Sequence, residues 1–179
     1  MHVNPKPLAS YPLFLRPFFW NQRRKYGAVL KPGLLWGRAP WLFVAVAAMV
    51  GILDRKRSPL SPPLRSLVTV RVSQLNHCSF CVDVNSATLH KRGVSWEKIE
   101  ALRDWPSSDL FDTMERAALA YTEAVTRTEA VVNDAMIAAL KQHLDDDAFV
   151  ELTGLIAFQN MSSKFNAALD VPPQGFCQL

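Results

Sequence analysis

Two cysteines three residues apart carry the clearest chemical potential in this sequence. They are Cys78 and Cys81 in the stretch NHCSFCVDVN, where His77 precedes the first and Asn85 follows the second by four residues. If a helix begins here, the i, i+3 spacing brings their Cα atoms to about 5–6 Å, a distance that a disulfide can close. The spacing alone is compatible with a redox dithiol, half of a metal site, or two buried small residues.

The metal interpretation lacks ligands. A structural zinc ion needs four, usually from two paired motifs. The third cysteine, Cys177, lies far along the chain, and His2 and His143 are isolated, so His77 is the only near candidate. The sequence therefore predicts no metal site, and it indicates no other cofactor.

The elements that must position the cysteines are predicted to be helices. Ser61 is a suitable N-cap for the helix before the pair, and Gly93 is suited to end the cysteine helix in a left-handed conformation. Nine residues beyond Cys81, His90 falls on the opposite side of that helix, while Asp83 points away from the sulfurs toward solvent or a basic partner. Further helices are predicted at residues 96–105, at 109–128, from Asn133, and from Asp145 or Asp146 to Leu169, before the prolines at 172–173.

Composition and charge divide the chain into two parts. With 179 residues, 49% hydrophobic and 20% charged, it has the size and composition of one globular domain. Residues 1–60 contain ten Lys or Arg and a single acid, whereas residues 61–179 contain ten bases and fifteen acids. We expect an all-α domain, with a basic, proline-rich arm at residues 1–59 packed either on its own acidic helical core at 60–179 or on a neighbouring subunit. No nucleic-acid motif accompanies the basic arm, so no nucleic-acid partner is predicted.

The apolar segment APWLFVAVAAMVGIL, residues 39–53, is too short for a typical membrane span, which needs about 20 apolar residues. A buried core helix or an oligomer-interface helix is the favoured interpretation, and a membrane partner is not expected. The N-terminus has no secretory signal pattern, and the cysteine count is odd, so a reducing cytoplasm is the expected location.

The stretch LRSLVTVRVSQLNHCSFCVDVNSATLHKRGVSWEKIEAL resembles the carboxymuconolactone decarboxylase superfamily, in particular its alkylhydroperoxidase D-like branch with the CxxC motif. The segment AFQNMSSKFNAALDV is similar to the last helix of that family, and the resemblance covers residues 60–171. It implies a helical bundle that assembles as homo-trimers or hexamers. It also implies thiol redox chemistry, in which Cys78 and Cys81 cycle between dithiol and disulfide while reducing a peroxide or disulfide substrate. A thiol reductant of unknown identity would reset the pair.

The resemblance also implies a proton relay, and here this sequence departs from the family. The family motif has a glutamate twelve residues before the first cysteine and a histidine four after the second. The corresponding positions hold Ser66 and Asn85, neither of which can act as a base near pH 7. The conceivable substitutes are His77, the helix N-terminus at Cys78, and a helical polar stripe formed by Ser66, Thr69 and Ser73. Family likeness favours Cys81 as the attacking sulfur, whereas the helix terminus favours Cys78.

Two functions therefore follow from the sequence. The first is a thiol-dependent oxidoreductase of the peroxidase or disulfide reductase type. The alternative is a non-catalytic oligomeric binding or scaffold protein of the same superfamily, suggested by the missing glutamate and histidine. Lactone decarboxylation is less favoured, because the resemblance is greatest to the CxxC branch.

Overall fold

A computed structural model describes residues 1–177, which form nine α-helices and three short 3-10 helices without a β-strand. The 3-10 helices are Leu8–Ser10, Leu13–Leu15 and Leu102–Ser107. The α-helices are α1 Arg16–Tyr26, α2 Lys31–Trp36, α3 Pro40–Leu53, α4 Pro62–Leu75, α5 Ser79–Lys91, α6 Trp96–Ala101, α7 Thr113–Thr126, α8 Asp134–Lys141 and α9 Asp146–Ala168. The all-α prediction is confirmed.

Local capping chemistry sets most helix boundaries. Ser61, Ser95, Asn133 and Asp145 each accept a hydrogen bond from a backbone N–H in the first turn of α4, α6, α8 and α9 respectively. Gly93, just beyond α5, has a φ of +91°, the left-handed conformation expected there. These starts and stops match the predicted ones.

Two predicted helices are shorter than expected. α7 starts at Thr113 instead of Asp109, because Asp112 and Glu115 form a reciprocal capping box that fixes the N-terminus at this point. α6 ends at Ala101, and the chain continues to Ser107 as a 3-10 helix that contains Pro106. A proline without an N–H is tolerated in this irregular turn.

α4 lies at the centre of the molecule and contacts α5, α7 and α9. One apolar cluster fills the space between α4, α7, α8 and α9, and a second lies between α4, α5, α6 and α7. The N-terminal arm packs on its own chain: the Trp36 ring stacks on Phe165 of α9 with centroids 3.5 Å apart. Leu35 joins the apolar cluster that surrounds Cys78 and Cys81.

The apolar helix α3 is not a buried core helix in the single chain. Only Phe43 and Leu53 of this helix are buried, while Trp41 and Ile52 are 78% and 55% exposed. The N-terminal elements cover one edge of α3 and leave the other edge in contact with solvent, which a one-dimensional apolar pattern does not reveal. No helix within residues 1–177 has the length and apolar character needed to cross a membrane.

Candidate active site

The cysteine pair lies at the N-terminus of α5, directly after the turn that follows α4. His77 makes this turn in a left-handed conformation with a φ of +52°, and the Cys78 N–H donates to the Ser73 carbonyl oxygen at 3.0 Å. Cys78 is the N-cap of α5, and its sulfur accepts the Cys81 N–H at 3.2 Å. The two sulfurs form a disulfide, with Cα atoms 5.2 Å apart.

The two sulfurs have different surroundings although both residues are almost fully buried. Cys78 lines an open cavity of about 780 Å³, and Cys81 is not one of its lining residues. His77 is exposed at the edge of the same cavity, as expected for a turn residue. Three arginines, Arg71, Arg103 and Arg127, contribute positive charge to the lining.

Cys81 instead faces the interior and contacts α9. The Asn166 side-chain Nδ2 donates to the Cys81 sulfur at 3.2 Å, and Asn166 is only 2% exposed. Its other polar atom, Oδ1, is buried without a hydrogen-bond partner among the described residues. Asn166 is therefore the polar side chain in direct contact with the second sulfur.

Asn85, at the position of the family histidine, contacts α4. Its Nδ2 donates to the Ser73 hydroxyl at 3.1 Å, and Gln159 of α9 donates to the same oxygen at 3.0 Å. Ser73 in turn donates to the Thr69 carbonyl oxygen at 2.6 Å. Of the predicted polar stripe, Ser73 is thus the member next to Asn85, and none of the three side chains in this group ionises near pH 7.

Ser66, at the position of the family glutamate, has a different partner. Its hydroxyl accepts from Arg92 at 2.8 Å, and Arg92 also forms an ion pair with Asp54. Ser66 and Asn85 make no hydrogen bond to each other. The two relay positions therefore lie in separate polar groups along the α4–α5 contact.

The surroundings of Asp83 differ from those predicted. The sequence placed it in solvent or against a base, but it is 7% exposed and accepts backbone N–H groups of Gln174, Gly175 and Cys177 at 2.6–2.9 Å. It thereby fixes the C-terminal segment against α5, next to the cavity. His90 is remote from the sulfurs, as expected, and its ring stacks on Trp96.

The sequence reasoning missed the polar side chains that α9 contributes. Gln159, Ser163 and Asn166 are all buried, at i, i+4 and i+7 of this helix, and therefore share one face. Ser163 accepts from Asn76 at 2.8 Å, at the end of α4. A run of amide and hydroxyl residues at helical spacing inside an otherwise apolar helix was the available signal.

An ion pair borders the cavity. Arg71 Nε donates to Glu123 at 2.7 Å, and Trp105 donates to the same carboxylate at 2.8 Å. Burial opposes ionisation of Glu123, but these hydrogen bonds and the charges of Arg71 and Arg127 lower its pKa below the ordinary value. Within residues 1–177, no group of three His, Cys, Asp or Glu side chains is placed to hold a metal ion.

Comparisons with known proteins identify a family, a relative that spans almost the whole chain, and similar folds. A match to the carboxymuconolactone decarboxylase family covers residues 40–124. The chain is 48% identical to the uncharacterized Escherichia coli protein YnjA over 173 residues, which cover 97% of this chain and 95% of YnjA. It is similar to the crystal structure of an alkylhydroperoxidase AhpD core, a peroxidase-related protein of Ralstonia eutropha, with a TM-score of 0.89, 23% identity and coverage of 98% and 93%.

A cysteine-to-alanine variant of the debrominase Bmp8, solved with 2,3,4-tribromopyrrole, is also similar. Its TM-score is 0.85 at 23% identity, over 98% of this chain and 93% of Bmp8. At this identity the similarity shows a shared fold.

Proposed function

Because the chain belongs to the carboxymuconolactone decarboxylase family and has the AhpD-like fold, we propose that it is a thiol-dependent oxidoreductase. Cys78 and Cys81 are its redox pair. The observation that carries the proposal is the position of both sulfurs at the N-terminus of α5, in bonding contact, with Cys78 lining an open cavity. A small molecule bound in the cavity would lie against Cys78, although this residue is only 1% exposed. The pair can form a disulfide without a large backbone movement.

Cys78 is the attacking sulfur in this proposal. It is the N-cap of α5, where a backbone N–H points at its sulfur and the helix dipole favours a thiolate. It also lines the cavity, whereas Cys81 faces Asn166 in the interior. This assignment differs from the role of the second cysteine that the family motif implies, and it follows from the loss of the glutamate–histidine relay at Ser66 and Asn85.

The reaction is a two-electron thiol oxidation. The Cys78 thiolate attacks the distal peroxide oxygen, the O–O bond breaks, and the alkoxide leaves with a proton as an alcohol, giving a sulfenic acid. The Cys81 thiol then attacks the Cys78 sulfur, the S–O bond breaks, and water leaves as the disulfide forms. An external thiol reductant returns two electrons by thiol–disulfide exchange.

Proton transfer in this cycle does not use the two relay positions. Ser66 and Asn85 cannot accept a proton near pH 7. His77 is exposed at the edge of the cavity, so it is the auxiliary group for proton exchange with solvent. Since general-base assistance contributes roughly 10²–10⁴-fold, we expect slower peroxide reduction than a complete relay would support.

The size of the cavity favours an organic substrate over hydrogen peroxide. Its volume of about 780 Å³ lies within the range of small-molecule sites, about 300–1,000 Å³. Organic hydroperoxides and small disulfides are the proposed substrate class. Because the structurally similar Bmp8 is a debrominase, 2,3,4-tribromopyrrole is a useful additional compound for the assay.

The test follows the thiols during exposure to cumene hydroperoxide. It uses a Cys177→Ser background, so that only the pair reacts, and compares the parent with Cys78→Ser and Cys81→Ser. Dimedone labelling and mass spectrometry should find an intramolecular disulfide in the parent and a Cys78 sulfenic acid in Cys81→Ser. Cys78→Ser should react much more slowly.

Fully reduced thiols after this exposure would contradict the proposal and support the non-catalytic scaffold alternative. A sulfenic acid at Cys81 in Cys78→Ser, formed at the parental rate, would reverse the assignment of the attacking sulfur. We place the cycle in a reducing cytoplasm, which supplies thiol reductants, and in a homo-oligomer.

A further inference from the structure

Asn166 has an unusual hydrogen-bond state next to the disulfide. Its Nδ2 donates to the Cys81 sulfur at 3.2 Å, and its Oδ1 is buried without a donor among the described residues. Asn166 is 2% exposed and Cys81 is 3% exposed, so bulk solvent does not compensate for the missing partner. Buried polar atoms are nearly always hydrogen-bonded, and an exception requires an explanation.

The surroundings make this exception costly. The cysteine pair lies in an apolar cluster with Leu35, Phe80 and Val171. A carbonyl oxygen in such an environment loses its hydrogen bonds to water on folding without recovering them. The bond from the Asn166 N–H to the Cys81 sulfur is therefore the polar contact that must compensate for the unpaired oxygen, and its strength depends on the redox state of that sulfur.

Reduction of the disulfide changes the hydrogen bond that the Cys81 sulfur can make with Asn166. A sulfur in a disulfide has no proton, whereas the Cys81 thiol carries an S–H group that can donate to an amide oxygen. A half-turn about the Asn166 Cβ–Cγ bond presents its oxygen to the thiol, and the reverse orientation presents N–H to a thiolate. One polar atom of the amide stays unpaired in either orientation. The bond that remains is stronger in the reduced pair, because a charged thiolate accepts an N–H more strongly than a disulfide sulfur does.

We propose that Asn166 is a positioning residue that sets the redox balance of the pair by stabilising reduced Cys81 relative to the Cys78–Cys81 disulfide. The half-reaction consumes two electrons and two protons, breaks the S–S bond and leaves two thiols. Asn166 raises the reduction potential, so that the disulfide is more easily reset by a thiol reductant. This inference rests on the proposed redox cycle of the pair.

The experiment measures the equilibrium between the pair and dithiothreitol in the Cys177→Ser background. Reduced and oxidised dithiothreitol are mixed in known ratios, and the fraction of disulfide is measured after acid quenching and alkylation. Asn166→Leu replaces the amide by an apolar side chain of similar size. It should shift the equilibrium about tenfold toward the disulfide, which corresponds to a potential about 30 mV lower.

Asn160→Leu is the matched control on the same helix. Asn160 donates to Thr126 and accepts from Asn76, and it makes no hydrogen bond to either sulfur. The same substitution there can lower the stability of the protein, but it should leave the dithiothreitol equilibrium within about twofold of the parent. A shift common to both variants would indicate a general loss of stability and would overturn the proposal.

An Asn166→Leu equilibrium equal to that of the parent would also overturn it. Asn166→Val and Asn166→Ala provide the same test if the leucine variant does not fold, and failure of all three to fold would assign Asn166 to folding instead. If the parent forms no disulfide at any ratio of reduced to oxidised dithiothreitol, the proposed redox function itself is rejected. A parental disulfide with an unchanged Asn166→Leu potential would reject only the role of Asn166.

Discussion

At the scale of single residues, the polar side chains on the interior side of the cysteine pair do not ionise. Asn166 contacts the Cys81 sulfur, and Asn85 shares Ser73 with Gln159. These side chains can orient a thiol and stabilise either protonation state, but they cannot remove its proton. The reactivity of the pair is therefore expected to depend on the helix N-terminus at Cys78 and on exchange with solvent.

Introducing a base at position 85 should accelerate thiol oxidation. Asn85→His places an imidazole, with a pKa ordinarily near 6.5, four residues after Cys81 on the same face of α5. The imidazole can take the proton of the Cys81 thiol that attacks the Cys78 sulfenic acid. The rate of disulfide formation after exposure to cumene hydroperoxide should therefore rise about 10²-fold and acquire a pH dependence centred near pH 6–7. Stopped-flow measurement of Trp fluorescence between pH 5 and 8 would give this rate.

Asn85→Gln, which changes size but adds no base, is the control. Equal rates for the two variants would rule out an effect of the imidazole.

Adding Ser66→Glu should increase the rate less than the family motif implies, because Arg92 already lies 2.8 Å from the Ser66 hydroxyl and would pair with the new carboxylate.

At the scale of elements, α4 organises the site because it touches α5, α7 and α9. Arg71 of α4 pairs with Glu123 of α7, and Trp105 from the 3-10 helix donates to the same carboxylate at 2.8 Å. Arg71 also donates to the Leu102 carbonyl oxygen at 3.3 Å. This ion pair holds together α4, α7 and the 3-10 helix. Arg71 lies only two residues before Ser73, which belongs to the site.

Glu123→Gln should destabilise the protein near pH 7 by about 1–3 kcal/mol, because it leaves the Arg71 guanidinium without its carboxylate. The pKa of Glu123 is lower in the folded protein than in the unfolded chain. The carboxylate therefore stabilises the fold fully above the unfolded-state value of about 4.3, and this contribution is lost as the pH falls through the lower folded-state pKa.

The difference in unfolding free energy between the parent and Glu123→Gln should accordingly be largest at neutral pH and shrink below about pH 4. Urea unfolding followed by circular dichroism from pH 3 to 7 measures it. The exposed Glu129→Gln is the control and should differ little from the parent at any pH. A difference that stays constant with pH would show that charge at Glu123 is not the cause.

At the scale of the whole molecule, the basic arm packs on the acidic core and still leaves an apolar surface exposed. We define the α3 surface as the stripe of exposed residues at helical spacing Trp41, Ala45, Ala48, Met49 and Ile52. Phe14 extends this surface by stacking on Trp41, with ring centroids 5.4 Å apart. Contiguous apolar surfaces of this kind usually mark an interaction site.

We expect the α3 surface to bind a second copy of this chain, in keeping with the homo-oligomer that the family resemblance implies. Trp41→Asp should weaken self-association about 30-fold, because buried tryptophans at interfaces often contribute about 2 kcal/mol or more. Size-exclusion chromatography with light scattering, at several concentrations, would report the change in mass.

Val131→Asp is the matched control, since Val131 is 79% exposed and lies in the loop between α7 and α8, outside the α3 surface. It should retain the parental mass. A monomeric parent protein at micromolar concentration, or an unchanged mass for Trp41→Asp, would exclude this surface as the interface.

The sequence by itself determined the features that depend on near neighbours in the chain. Ser61, Ser95, Asn133 and Asp145 cap helices because their side chains reach N–H groups three residues away. The i, i+3 spacing of the cysteines brought their Cα atoms within disulfide range, and the helical repeat placed His90 on the far side. The motif around the pair was enough to predict the fold.

Only the tertiary structure decided what surrounds each sulfur. Asn166 reaches Cys81 across a sequence separation of 85 residues, and Asp83 is buried because the C-terminal segment folds back onto α5. α3 is exposed because its apolar neighbours cover only one edge of it. These outcomes depend on how distant helices pack, on their angles and relative positions, and local spacing carries no information about them. The cysteine motif was therefore readable from the sequence, whereas the difference between a cavity-facing Cys78 and an amide-bound Cys81 came from the packing of α9 and the C-terminal segment.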